Sequence, residues 1–394
     1  KCLISTEIPE LSFTNCGIYQ LGGVTTNAYD EVAIRVVEGV RVVVASDTLK
    51  TAPKFNALCK IQNLDIAVDY VDPVDRKSLV YTHVVFVTDQ DDDGVGNICG
   101  SILSNIQRMW PGLYQCGMIS RLSSPVQRWY PASDKEYVQN FYTGAQATAW
   151  LSAHPGARGT VKYFKGLATH EDGDALDIFK HFRELLTTYR STPDSDAVAR
   201  DMFGGDSTMR KMYHAREPNM VDPKLNLLYE RLSTEESTPL QVARQRHVID
   251  EPTYPGTGIE RAMTVEHHMM LYTMVYQNAN IERSLPHIID GLLRTHRKSV
   301  YAGMIVNRVT KVFVMGGIVT SEAAYHHGST SVEGCICKMA QCFPGANNIP
   351  LFLPIGQFGS RSYGGADCGS SRYINTKINP IAALLFRKED IYIL

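Results

Sequence analysis

The chain has 394 residues, 44% of them hydrophobic and 20% charged, with a formal net charge of −2. Such a composition excludes a disordered or collagen-like chain, and the length suffices for two or three domains, each with its own core. No apolar run approaches the roughly 18–20 residues of a membrane span and no basic-plus-apolar leader opens the chain, so a membrane is not among the expected partners. The chain opens on Lys1 rather than Met, which reads as an excised piece of a longer polypeptide. Its nine cysteines include no CxxC pair, a usage that suits a reducing compartment and buried free thiols and argues against zinc. The near-neutral total argues against a uniformly basic surface, but it averages over regions. Residues 281–311 carry six basic side chains against two acidic ones, and residues 355–388 carry five against one. These two positive blocks are a candidate polyanion surface.

In chain order, "CLIST" (2–6), "VRVVVAS" (40–46), "HVVFVT" (83–88) and "TVKYF" (160–164) are β-branched or aromatic runs that predict strands. Between the last two, Ile98, Ile102, Ile106 and Met109 recur at helical spacing, and Pro111-Gly112 predicts the end of that helix. Strand, loop and helix in that order predict a Rossmann-like α/β domain over 1–170. Residues 171–278 are polar, punctuated by Pro193, Pro218, Pro223, Pro239, Pro252 and Pro255, and read as a mostly helical connector. His267-His268 within it reads as a helix surface, because adjacent residues rarely face one ion. From 279 onward helices dominate again. "TSVE" (330–333) predicts a capping box, with Val332, Ile336, Met339, Ala340 and Phe343 as a core-facing stripe behind it. "PIGQFGSRSYGGADCGSSRY" (354–373) holds five glycines. It predicts turns and short strands where the backbone comes close to something.

One stretch asks for a cation. "VVFVTDQDDDGVGN" (84–97) places four aspartates within five residues after an apolar run, and mutual repulsion makes such a cluster costly without positive charge. Asp89, Asp91 and Asp93 alternate, so in an extended segment their carboxylates share one side. The preceding strand would deliver them to the carboxyl edge of a sheet, where open α/β sheets place their sites. Three hard oxygen donors suit Mg²⁺, which keeps waters and leaves room for a phosphate. Glu7, after the "CLI" run, could complete the set. An EF-hand reading fails, because position twelve counted from Asp89 is Gly100 and a β-like run stands where a helix is needed. The other reading of the cluster is an acidic turn that caps the following helix and needs no ligand.

"TDQDDDG" (88–94), "KYFKGLAT" (162–169), "ERSLPHIIDGL" (282–292), "YHHG" (325–328), "IGQFGSR" (355–361) and "SSRYINT" (370–376) follow in this order. Together they resemble the DNA-cleavage core of type IIA DNA topoisomerases of the eukaryotic and viral type. The resemblance implies a TOPRIM domain over 1–170, a helical connector over 171–278 and a winged-helix domain over 279–394. It implies metal acids at Glu7, Asp89 and Asp91, supported by Asp93, for Mg²⁺, with Mn²⁺ or Ca²⁺ able to substitute. The family's nucleophile falls on Tyr373, preceded by Arg372, with assisting positions at Arg297, His326 and His327. Lys162, Lys165, Lys298, Gln357 and Arg361 fall where the family meets DNA. The implied partners are double-stranded DNA, a second copy in a homodimer, and an ATPase domain of the same polypeptide, through which alone ATP would act. The implied location is the nucleus, or a virus factory in the host cytoplasm for a viral protein.

The residue types suit those roles. A tyrosine is a poor nucleophile at its free pKa of ~10 and needs cations and a proton acceptor nearby. Arg372 and Arg297 would supply the first, and His326 or His327 the second. The sequence also departs from the family pattern. "EIPEL" (7–11) replaces a glycine-aspartate-serine run and leaves Glu10 a competitor for Glu7; "RVVVAS" (41–46) replaces proline-leucine-arginine-glycine-lysine; "RTH" (294–296) replaces proline-glycine-glutamine; and Val314 replaces a glutamine. These departures keep two rivals in view, a non-catalytic DNA-binding scaffold on the same fold and a TOPRIM nuclease that needs no Tyr373. The expected activity is transient 5′-phosphotyrosyl cleavage of duplex DNA. Because the chain stops at "LLFRKEDIYIL" (384–394), relaxation of supercoils by this chain alone is not expected.

Overall fold

The computed structural model describes residues 11, 15–132, 138–142, 144–164, 166–215, 259–325 and 327–387. The "CLIST" run, Glu7, Glu10, Lys165 and His326 lie outside the described residues. The chain divides into two compact units, residues 1–278 and 279–394.

The first unit begins with a hairpin, β1 (Val32–Val37) and β2 (Val40–Ala45), paired antiparallel. Its further strands are β3 (Val84–Val87), β4 (Ile119–Leu122), β5 (Gln127–Pro131), β6 (Gln139–Phe141), β7 (Gly159–Tyr163), β8 (Leu186–Arg190) and β9 (Ala262–Thr264). The main sheet has the order β3-β4-β8-β9, with β3–β4 and β8–β9 parallel and β4–β8 antiparallel. The order β6-β5-β7 makes a second, antiparallel sheet. The strands predicted at 40–46, 83–88 and 160–164 are thus present as β2, β3 and β7. Residues 171–278, read as mostly helical, contribute β8 and β9 to the main sheet. In β8 the burial alternates, with Thr187 and Tyr189 inward, a period-2 signal that the surrounding polar residues and prolines obscured.

Between β3 and β4 the chain turns through the acidic loop into a π-helical segment, Asp92–Cys99, and then helix α1 (Gly100–Met109). Nine of the ten α1 residues are buried, so the helix is a core element, and Ile102, Leu103, Ile106 and Met109 each contribute about 1.5–3 kcal/mol of apolar burial. Its polar residues therefore need partners. Asn105 accepts from the Ala28 N–H (2.7 Å) and donates to Thr25 Oγ1 (2.9 Å) and the Thr26 carbonyl (2.8 Å), which ties the N-terminal segment onto the helix.

A π segment leaves carbonyls off the regular i→i+4 ladder, and these need other donors. His268 Nε2 donates to the Val95 carbonyl (3.1 Å) and Thr273 Oγ1 to the Gly96 carbonyl (2.9 Å). His267 and His268 are consequently buried, at 4% and 0% exposure, and not on a helix surface as the sequence suggested. His268 is neutral, pushed down to about 3 by burial and then by the nearby Arg121 charge, and its Nδ1 accepts from the Tyr189 hydroxyl (2.9 Å). At the start of the segment Gly94 lies against the chain entering the loop. A Cβ there would stand 2.2 Å from the Asp89 carbonyl oxygen.

An ion network ties the second sheet to helix α2 (Asp172–Lys180). Arg128 of β5, 4% exposed, donates Nη1 to Asp174 Oδ1 (2.7 Å) and Nη2 to Asp177 Oδ2 (2.5 Å). Lys162 of β7 donates to Asp174 Oδ2 (2.7 Å). Burial by itself would raise the Asp174 pKa, but Lys162, the Glu171 N–H and Arg128 together hold it below the ordinary aspartate value. Helix α3 (Ser195–Phe203) follows β8 in the same unit.

The second unit packs helices α4 (Arg294–Val306), α5 (Val312–Glu322) and α6 (Ser329–Ala340) against a small antiparallel sheet. The sheet has the order β10-β12-β11, from β10 (Thr310–Lys311), β11 (Phe352–Ile355) and β12 (Asn375–Ile378). Val300, Val312, Met315, Val319, Ile336 and Phe352 are fully buried between them. Two expectations fail locally. The N-cap of α6 is Gly328, with no side-chain cap, so Thr330 lies inside the first turn and Glu333 is not part of a capping box. Phe343 lies beyond the helix, which ends at Ala340, because Pro344 disfavours helical backbone just before it. Eight cysteines are described, all as free thiols; Cys99 is buried, whereas Cys116 and Cys342 are exposed.

Removing one partner of a buried ion pair leaves the other charge uncompensated. Asp174→Ala is expected to cost about 3–5 kcal/mol in urea unfolding at neutral pH. Because the folded-state pKa of Asp174 is depressed, its contribution is present above the unfolded value of ~3.9 and is lost as pH falls through the folded one. The gap between wild type and Asp174→Ala should therefore narrow below about pH 4. Gly94→Ala should cost about 2–4 kcal/mol, while Gly334→Ala on α6, where a Cβ meets nothing within 4 Å, should be neutral or stabilising by about 0.5–1 kcal/mol.

Candidate functional site

The acidic loop stands where β3 ends. Asp91 is extended, and its carboxylate accepts from the Gly94 N–H (2.7 Å), so it caps the π segment. Asp92 and Asp93 are already helical; the alternation of Asp89, Asp91 and Asp93 along one extended face is therefore broken at Asp93. A helix N-terminus attracts negative charge, which is why the acids begin the helix instead of prolonging the strand. Desolvation, and then the charges of Asp89, Asp93 and Asp92, raise the Asp91 pKa against the lowering effect of the Gly94 N–H. Asp89 Oδ1 accepts from the Leu167 N–H (2.6 Å), so the "KGL" turn after β7 is fastened to the acidic loop. Beneath them, the buried Arg121 of β4 donates to Gln90 Oε1 (3.1 Å).

Among the described residues no group of three or more His, Cys, Asp or Glu side chains is arranged to hold a metal ion. The crowding that raises the Asp91 pKa nevertheless marks an excess of negative charge at this loop. Asp89 and Asp91 offer the one or two carboxylates with which Mg²⁺ is commonly held while it keeps waters and phosphate ligands, and in that sense the residues fit the ion. Lys162, a candidate DNA contact, has its ammonium on Asp174 and, at 3.2 Å, on Glu171. Its pKa is raised, first by the hydrogen bond to Asp174.

In the second unit Arg372 and Tyr373 sit on a turn that precedes β12, and Tyr373 is 81% exposed. The turn is closed by the Tyr373 N–H on the Ser370 carbonyl (2.8 Å). It is bound to the first turn of α5, where the Phe313 N–H donates to the Ser371 carbonyl and the Val312 N–H to the Ile374 carbonyl, both at 3.1 Å. Beside it opens a polar groove of about 350 Å³ lined by Ser329, Thr330 and Glu333 of α6, by Phe313, and by residues 370–373.

The other residues predicted for this site lie around the same helices. Arg297 is not among the residues lining the groove; its guanidinium pairs with Asp290 (2.6 Å). Burial would raise the Asp290 pKa, but the Leu292 N–H and Arg297 hold it low. Lys298 donates to the Ala324 carbonyl (2.8 Å), and burial followed by the Arg294 charge lowers its pKa. His327 meets the Tyr325 ring edge-on, with centroids 5.4 Å apart. Gln357 and Arg361 are exposed in the glycine-rich tract, whose fold is closed by the Ser360 N–H on Asp367 Oδ1 (2.7 Å). Sequence reasoning missed the Leu167 N–H, Asp290, Ser371 and Glu333. Of these only Asp290 carried a signal, as part of the "HIIDGL" motif.

Residues 283–394 match the DNA gyrase/topoisomerase IV family. The chain is 32% identical over 391 residues to DNA topoisomerase 2 of African swine fever virus (isolate Tick/Malawi/Lil 20-1/1983), covering 97% of this chain and 30% of that protein. It is 30% identical over 343 residues to DNA topoisomerase 2-beta of Gallus gallus, covering 86% of this chain and 20% of the relative. The chain thus spans about a third or less of the length of these curated relatives. The crystal structure of the Plasmodium falciparum topoisomerase II DNA-binding, cleavage and re-ligation domain superposes with a TM-score of 0.68 at 25% identity, covering 94% of this chain and 44% of that one. In motif order, in sequence along nearly its whole length and in its mixed α/β fold, the chain is a relative of the type II DNA topoisomerases.

Proposed function

We propose that this chain is the cleavage-and-rejoining core of a type II DNA topoisomerase, with 1–170 as its TOPRIM domain, 171–278 as a connector and 279–394 as its winged-helix domain. The observation that carries the proposal is Tyr373: a phenol 81% exposed, next to Arg372, on a turn bound to a helix N-terminus and beside a polar groove. Core tyrosines bury the ring; this one presents it.

In the proposed reaction the Tyr373 oxygen bonds to a backbone phosphorus as the bond to the 3′ oxygen breaks, and the DNA leaves as a free 3′ hydroxyl. The phosphotyrosine keeps the bond energy, so attack by that hydroxyl restores the strand and frees the phenol. Arg372, the neighbour of the phenol on the turn, stabilises the phenolate and the crowded phosphoryl oxygens. Arg297, held by Asp290, is a second guanidinium for the phosphate, and His326 or His327 takes the phenolic proton. Asp89 and Asp91, with Glu7 and Asp93 as further acids, would hold Mg²⁺, which when bound stabilises charge on the departing 3′ oxygen. Lys162, Lys165, Lys298, Gln357 and Arg361 would meet DNA. A homodimer would cut both strands, each tyrosine working with the acids of the partner copy. An ATPase domain would power strand passage, in the nucleus or in a cytoplasmic virus factory. No helix among the described residues is long and apolar enough to cross a membrane.

Incubation with plasmid and Mg²⁺ followed by a detergent quench should trap protein on 5′ ends. Tyr373→Phe should reduce this to background, and Asp91→Asn should slow it about 10²–10³-fold. Nicked or linear DNA with free ends that persists in Tyr373→Phe would instead identify a nuclease. Salt-sensitive binding without any covalent product would identify a scaffold.

A further inference from the structure

We infer that Glu333 and Ser371 form a positioning pair that holds the Arg372-Tyr373 turn in its reactive orientation, a role that rests on the reading of Tyr373 as nucleophile. Ser371 Oγ donates to Glu333 Oε2 at 2.5 Å, a short bond to an acceptor on a separate helix 38 residues away in sequence. Glu333 is itself seated. Its Cγ lies where a Cβ on Gly316 of α5 would stand 3.1 Å away, so the glycine lets α6 carry the carboxylate stem across α5 to the turn. The turn is thus gripped from two sides. On one, the Val312 and Phe313 N–H groups hold the Ile374 and Ser371 carbonyls; on the other, Glu333 holds the Ser371 hydroxyl.

The backbone bonds fix where the turn lies, but they leave residues 371–373 free to rock about the α5 terminus. The side-chain bond removes that freedom, and both residues line the groove that Arg372 and Tyr373 share. A nucleophile misplaced by about an ångström can lose on the order of a hundredfold in rate. Glu333 also sets one fixed negative charge at the groove. The pair is a hydrogen bond from a neutral hydroxyl, so a neutral acceptor of the same shape should serve in its place.

The test compares Glu333→Ala, Ser371→Ala, Glu333→Gln and the double alanine variant. It reads the rate of covalent attachment to DNA, the DNA dissociation constant and amide hydrogen exchange at Tyr373. Each alanine variant should attach at least about tenfold more slowly with an unchanged dissociation constant, and the double variant should be no slower than either single one. Glu333→Gln should restore near-wild-type rates, and exchange at Tyr373 should quicken in the alanine variants alone. Glu333→Gln as slow as Glu333→Ala would overturn the pair in favour of the charge. Additive losses, or unchanged exchange in both alanine variants, would overturn it as well. A wild-type chain that never attaches to DNA would remove the nucleophile reading, and exchange at Tyr373 would still decide whether the pair holds the turn.

Discussion

Both segments proposed to do chemistry are held by the free N–H groups at the start of a helix. The first few N–H groups of any helix have no carbonyl partner within it, and they carry partial positive charge. In the first unit the Gly94 N–H takes the Asp91 carboxylate and the Val95 N–H takes the Asp91 carbonyl. In the second, the Val312 and Phe313 N–H groups take the carbonyls of the tyrosine turn. A cluster of four acids and a solvent-exposed turn would each be costly to order alone. A helix start makes both of them satisfied ends of regular structure.

Around the acidic loop, support comes from farther away. Arg128 is nearly inaccessible and must be paired, because an uncompensated buried guanidinium costs several kcal/mol. Its bonds to Asp174 and Asp177 set where α2 begins. The Glu171 N–H on Asp174 Oδ2 (3.0 Å) and the stacking of His170 on Phe164, 4.3 Å between centroids, then shape the short connection from β7 to α2. The Leu167 N–H that reaches Asp89 lies in that connection. Lys162 belongs to the same arrangement. Any phosphate it met would have to compete with two carboxylates already in contact with it.

Much of this was legible in advance because it is local. The β-branched runs that became β2, β3 and β7 and the spacing that became α1 are decided by neighbours a few residues away. So is the glycine-rich tract, where a short chain must turn repeatedly. The failures share a cause as well. The "TSVE" run looked like a cap because its internal spacing is right, yet Glu333 is claimed by Ser371 from a distant turn. His267 and His268 looked like a polar helix surface. They are buried because the π segment offers them a carbonyl and because Tyr189 of β8 supplies a hydroxyl. The strands within 171–278 are only a few residues long, too short to show a period against a polar, proline-marked background.

From the order and chemistry of its motifs alone, the chain declared an acidic loop after a strand, an Arg-Tyr pair ahead of another, and a likeness to enzymes that cut DNA. Those are properties of residue type and short spacing, which survive without knowledge of the fold. Tertiary structure alone decided that Asp93 turns away from the extended face, that Lys162 is engaged by Asp174 and Glu171, and that Glu333 rather than a nearer group anchors the tyrosine turn. Each of these depends on a partner dozens of residues away or on a helix end whose unpaired N–H groups draw charge. No window of sequence contains the groups that meet there.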